Sequence, residues 1–236
     1  MKPVAICRFS AGEGPGYFAE FLEARSIPHE LICIDEGDSV PTRIDAFAGL
    51  CLMGGPMSVN DPLPWIAQVT ALIRDAFVKD RPMIGHCLGG QLISKALGGR
   101  VIRNRVKEVG WSRVSLAPSP EAAYWFGEDL ASPRTVFQWH GETFTLPMQA
   151  KRIASSDYCA NQIVVLGPHL AMQCHVEMTP EMIVGWCAHW EAEMGAEAPS
   201  PSIQQPPEIL GMIDVELPAL RQLADRLYTR WIVSLR

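Results

Sequence analysis

The segment Met83 to Gln91, reading MIGHCLGGQ, mounts one cysteine in a Gly-x-Cys-x-Gly turn between an apolar run and a helical one. A sharp strand-to-helix turn strains the backbone of its central residue, so its neighbours Gly85 and Gly89 must be small enough to avoid collision. Cys87 is then expected above a sheet at a helix N-terminus, where the partial positive charge of the helix end favours thiolate and free amides can receive an anion. A buried, inert thiol is the competing reading of an isolated cysteine. What decides between them is a partner, because at neutral pH a thiol needs an imidazole to take its proton and a third group to orient that ring. Leu170 to Pro180, LAMQCHVEMTP, supplies both types: His175 as base and, two residues later, Glu177 as its orienter.

Gly85, Cys87, Gly89 and Gln91, followed by Gln173, His175 and Glu177, resemble the GxCxGxQ and QxHxE patterns of the class I glutamine amidotransferase family. Three further segments are similar to that family: Leu52 to Val59 (LMGGPMSV), Gln138 to Pro147 (QWHGETFTLP) and Asn161-Gln162. The resemblance implies a flavodoxin-like α/β fold and cysteine-dependent hydrolysis of the γ-carboxamide of glutamine, or a related γ-glutamyl amide, through a γ-glutamyl thioester. It assigns the oxyanion-binding amides to Gly55 and Leu88. It places Gln91, the Val109-Gly110-Trp111 stretch and the His140-Gly141-Glu142 stretch along the substrate pocket, with His140 positioning rather than acting as a second base.

The same resemblance leaves the leaving group open. Ammonia passed to a separate synthetase subunit, or the amine of a glutathione-like peptide in a γ-glutamyl peptidase, would both suit the chemistry. A non-catalytic, redox or regulatory flavodoxin-like protein is a third reading, supported by three departures from the family pattern: His86 before the cysteine, Gly90 after Gly89, and Val176 where many members carry proline. Successive side chains near a strand end point to opposite sides, so His86 is expected to face away from the thiol in a structural role.

Composition frames these assignments. A chain of 236 residues with 48% hydrophobic content suffices for one large α/β domain spanning 1–236. The net charge of -6 comes with no basic stripe, so nucleic acid is not an expected partner. Arg100, Arg103, Arg105 and Lys107 alternate as one solvated strand face. Seven cysteines, irregularly spaced, argue for a reducing compartment, with Cys7, Cys33 and Cys51 as inert core thiols. No metal-ligand spacing is evident, and neither metal nor cofactor is expected. The N-terminus lacks a signal-peptide core and no apolar run would span a bilayer, so a cytoplasmic protein without a membrane partner is expected.

Strand and helix signals alternate along the chain, the pattern of a mostly parallel central sheet with helices on both faces. Strands are expected at Val4 to Arg8, His29 to Ile34, Gly49 to Met53, Met83 to His86, Arg113 to Leu116, Thr135 to Trp139, Arg152 to Ser156 and Leu170 to His175. Helices are expected at Tyr17 to Arg25, Trp65 to Lys79, Leu88 to Leu97 and Glu181 to Met194. Residues 196–207 read as a Pro-rich loop, and 217–235 as a C-terminal helix docked on the domain through Leu220, Leu223, Leu227 and Trp231. In such sheets ligands collect beyond the strand carboxyl ends, where Gly55, Cys87 and His175 would all fall.

Overall fold

The computed structural model describes residues 1–190 and 200–236. Nine strands form one sheet: β1 (Val4–Arg8), β2 (His29–Cys33), β3 (Gly49–Leu52), β4 (Met83–His86), β5 (Val101–Leu116), β6 (Arg134–Phe144), β7 (Lys151–Ser155), β8 (Ile163–Leu166) and β9 (His169–Met172). Their order is β2-β1-β3-β4-β9-β8-β7-β5-β6. From β2 to β9 every pairing is parallel. Beyond β9 the pairings are antiparallel. The parallel half is the sheet that alternation announces; β8 and most of β5 extend it by hairpin pairing.

Among the described residues the helices are α1 (Gly16–Glu23), α2 (Pro64–Val78), α3 (Leu88–Ala96), α4 (Pro120–Phe126), α5 (Pro180–Ala188), α6 (Pro206–Gly211) and α7 (Ile213–Ile232). Local chemistry starts two of them alike: Ser119 and Thr179 accept from the amides of Ala122 and Met182, each followed by a proline at the first helical position. The expected extension of α5 to Met194 runs beyond the described residues, as does 196–199 of the Pro-rich loop. Its remainder is not all loop, since Ile203 bridges Val109 and Pro206 opens α6.

Two apolar cores lie on opposite faces of the sheet. One joins α1, α4, α5, α6 and α7, and the other joins α2 and α3. Each of β3 and β4 is buried throughout, as its near-continuous apolar sequence requires when both faces are covered. Cys7 and Cys51 are core thiols, whereas Cys33 at the end of edge strand β2 is only half-buried, because that strand has one neighbour and only its Ile32 is buried. Among the described residues no helix is long and apolar enough to cross a membrane.

The register fixes the site. Ile84, Gly85 and His86 pair in parallel with Leu170, Ala171 and Met172, so the chain leaving β4 toward Cys87 and the chain leaving β9 toward His175 emerge side by side at one rim. Helix α7 packs over one face of the sheet: Trp231 is fully buried, edge-on to Phe18 and against Gly49. Replacing Trp231 by Ala should destabilise the fold by about 3–5 kcal/mol, as large aromatic truncations do. Urea unfolding measures this, and a loss below about 1 kcal/mol would show that α7 is not integral to the core.

Candidate active site

Cys87 takes φ 48° and ψ -105°, the strained conformation its turn demands, and serves as the residue before α3. Three glycines make that turn possible by close approach. A Cβ on Gly85 would lie 2.4 Å from the Gly89 carbonyl carbon, one on Gly89 would lie 2.1 Å from the Leu52 carbonyl oxygen, and one on Gly90 would lie 2.4 Å from the Met172 carbonyl oxygen. Gly90 thus lets α3 rest directly on β9. The first intrahelical bond runs from Gln91 N-H to the Cys87 carbonyl at 3.0 Å. The amides of Leu88, Gly89 and Gly90 are therefore the helix-start donors that no carbonyl of α3 can satisfy.

Past β9, Gln173 donates to the Cys87 sulfur at 3.5 Å and receives the Gln91 amide at 3.2 Å. His175 is pinned by a two-way backbone exchange with Phe137 on β6, and its ring packs edge-on to Trp186 at 4.9 Å. Its Nδ1 lies 2.6 Å from Glu177 Oε1. Glu177 Oε2 accepts from the Val176 amide at 2.9 Å, so valine supplies an N-H that proline would lack and holds the carboxylate by a bond instead of by a rigid ring. The Glu177 carbonyl accepts from Tyr17 at the start of α1, where a Cβ on Gly16 would lie 2.3 Å from it.

Burial alone would lower the His175 imidazole, but the Glu177 carboxylate and the Cys87 sulfur outweigh it and hold the ring well above its ordinary range. Its Nε2 makes no well-directed hydrogen bond and interacts with that sulfur. Burial would likewise raise the Glu177 carboxyl, and the charge and hydrogen bond of His175, the largest opposing influence, bring it down to about 2. Residues from positions 87, 175 and 177 thus form one electrostatic chain in a dry setting, the arrangement that thiol-based acyl transfer requires.

A cavity of about 370 Å³ opens over the sulfur. Cys87, Gly55, Gln91, Val109, His140, Gly141 and Glu142 line it, all of them residues the sequence reading placed at the site, together with Glu13, Lys107 and Trp139, which it did not single out as lining. Leu88 is not among the lining residues; it is buried, with its side chain pressed toward Gly55. Gly110 and Trp111 lie outside the lining. Gly110, at φ +99°, abuts Gln204, and the buried Trp111 donates through its amide to Gln204 and through its indole to the Ile209 carbonyl. Their observed contacts therefore anchor the segment leading into α6.

His140 lies on a polar cluster. Its Nδ1 contacts the Glu142 carbonyl at 2.9 Å and its Nε2 lies 3.1 Å from Glu108 Oε2, while Ser156 and Gln162 also donate to Glu108 at 2.7 and 2.9 Å. These contacts fix the Gly141-Glu142 wall of the cavity. Glu108, His140 and Cys159 are also the one grouping of metal-ligand type among the described residues, their donor atoms within 4.8 Å of one another. Its positions are distant in sequence, which is why spacing did not announce it, and Cys159 Sγ pairs with the Thr143 hydroxyl at 3.1 Å.

The family profile described as glutamine amidotransferase class-I matches residues 22–183. A crystal structure of a glutamine amidotransferase from Methylobacillus flagellatus superposes with a TM-score of 0.95 at 44% identity, covering 100% of this chain and 96% of that one. A glutamine amidotransferase-like protein of Salmonella typhimurium is 33% identical over 192 residues, 77% of this chain and 78% of its own. A γ-glutamyl peptidase 3 of Arabidopsis thaliana is 24% identical over 154 residues, 63% of this chain and 60% of its own. The rim shared by β4 and β9, with the sequence match that spans it, places this chain in the class-I glutamine amidotransferase family.

Proposed function

We propose that the protein hydrolyses a γ-glutamyl amide through a thioester on Cys87, with His175 as general base and acid and Glu177 orienting it. The observation that carries this reading is the buried Glu177–His175 contact of 2.6 Å, aimed at the sulfur from a neighbouring parallel strand. The thiolate attacks the γ-carbonyl carbon, and the resulting oxyanion is received by the amides of Leu88 and Gly55. Collapse breaks the C–N bond as His175 protonates the departing amine. Water, giving its proton to His175, then attacks the thioester, and glutamate leaves as Cys87 is regenerated.

A second reading of the leaving group, a γ-glutamyl peptide instead of glutamine, is favoured by one feature. A further cleft of about 500 Å³ shares Glu13, Pro56 and Trp139 with the cavity over Cys87 and continues past Met182 and Trp186. Because Trp186 packs on the His175 ring, this cleft lies on the side where the protonated amine departs, and it has room for more than ammonia.

Assaying glutamate release from glutamine and from γ-glutamyl peptides, each with and without cell extract to supply an acceptor subunit, separates the two leaving groups. Cys87→Ala should fall at least about 1000-fold on every substrate with its fold retained, and His175→Asn comparably, the latter also losing stability because the buried Glu177 carboxylate loses its partner. Undiminished turnover in Cys87→Ala would discard the mechanism. Selective labelling of Cys87 by a glutamine-analogue electrophile opposes the sensor reading, and its absence at every pH supports it.

The charge pair also predicts a pH dependence of stability. Glu177 is depressed from 4.5 to about 2, so its contribution is complete above pH 4.5 and is lost as pH falls toward 2. His175 is raised, so its contribution is complete below its ordinary 6.5 and is lost as pH rises through the elevated value. The gap in urea midpoint between wild type and Glu177→Gln should be widest between pH 4.5 and 6.5 and shrink on acidification below that window. A gap that stays constant down to about pH 3 contradicts the assignment.

A further inference from the structure

His86 precedes the thiol in sequence yet turns to the opposite side, where it is fully buried behind Glu177. Its Nε2 lies 3.1 Å from the Tyr228 hydroxyl and 3.9 Å from Glu177 Oε2, and its Nδ1 lies 3.9 Å from Cys51 Sγ. Tyr228, fully buried on α7, packs edge-on between Phe18 and Phe21. Burial, reinforced by the Glu177 charge, raises that phenol well above its ordinary range and keeps it a donor. A buried hydroxyl needs an acceptor, and the one at hand is His86 Nε2. The His86 ring then carries its proton at Nδ1, on the side of the Cys51 sulfur 3.9 Å away.

We propose that His86 and Tyr228 brace the Cys87–His175–Glu177 arrangement from behind: by occupying His86 Nε2, the Tyr228 hydroxyl keeps that ring neutral and reserves the Glu177 charge for His175. The brace rests on the acyl-transfer reading above. The groups facing His86 are Glu177 and His175 from the chain after β9, Cys51 from β3 and Tyr228 from α7, with α1 contributing the Phe18 ring. Burial favours the neutral ring and Glu177 opposes it. A proton gained at Nε2 would create a second imidazolium 3.9 Å from the carboxylate, in an interior where charges are weakly screened, and the two rings would compete for one counter-ion. His86 is thus a positioning residue that acts through Glu177.

Tyr228→Phe keeps the ring packing and removes the donor. With six histidines in the chain, imidazole nitrogen-15 NMR can follow each ring through a pH titration, alongside kcat and KM for γ-glutamyl amide hydrolysis. In wild type, His86 should remain neutral with Nε2 unprotonated at neutral pH, while His175 reads as imidazolium. In Tyr228→Phe, His86 should take up its proton about one pH unit higher, and kcat below that raised midpoint should fall by up to about tenfold relative to wild type with KM nearly unchanged. Adding His86→Leu removes the competing ring and should abolish that acid-side loss. The brace is overturned if His86 titrates identically in wild type and Tyr228→Phe, or if the acid-side loss persists in the double variant. A wild-type protein that shows the expected His86 state but cleaves no γ-glutamyl amide refutes the functional reading and leaves the ring assignment standing.

Discussion

The arrangement depends on a carboxylate kept charged where water does not reach. Glu177 is 1% exposed, and an isolated carboxylate at such a position would take up a proton. It stays ionised because His175 meets one oxygen and the Val176 amide the other, while the Tyr17 amide holds its carbonyl. The same charge lifts the imidazole, and the imidazole in turn gives the sulfur a proton partner. Removing any one member leaves a buried group without compensation, so the three positions act as a unit, not as a sum of contacts.

Topology provides what that unit needs. Neighbouring parallel strands deliver their carboxyl ends to the same edge, so β4 and β9 bring residues almost ninety positions apart into adjacent loops without a dedicated linker. The antiparallel half contributes differently. Its β6 locks the His175 backbone through Phe137, and it supplies Trp139 and His140 as a wall over the sulfur. The parallel half thus sets the reacting atoms, and the hairpin half sets the enclosure.

How legible this was in the sequence follows the range of the interactions. The elbow and the His-x-Glu segment are local patterns whose residue types carry their own geometric reason, so Cys87, His175 and Glu177 could be named from the chain alone and lie where the parallel-sheet reading put them. Strand β8 and the length of β5 depend on partners elsewhere. In β5 the alternating Arg103, Arg105 and Lys107 did show a solvated strand face, yet only pairing with β6 reveals that the strand runs unbroken from Val101 to Leu116 apart from a bulge. Helix α4 had a readable start in Ser119-Pro120-Glu121, the counterpart of Thr179-Pro180-Glu181, but only seven residues to sustain a period. The sequence assigns Gly110 and Trp111 to the pocket with Val109 as one stretch, but the positive φ at Gly110 interrupts the strand's regular alternation and Trp111 turns instead to Gln204 and the Ile209 carbonyl, contacts made by residues far along the chain.

The three departures from the family pattern weaken a non-catalytic reading once their surroundings are considered. Val176 replaces ring rigidity with a hydrogen bond to the very oxygen that must be oriented. Gly90 exchanges a side chain for contact between α3 and the β9 backbone, which seats the helix N-terminus over the rim. His86 faces Glu177 and not the thiol, with Tyr228 filling its outer nitrogen. A chain drifting away from acyl transfer would have no reason to keep the strained backbone at Cys87, which costs about 1–3 kcal/mol and returns nothing to the core. That this strain persists beside a fully oriented Glu177–His175 pair argues that the departures are alternative means of holding the same geometry.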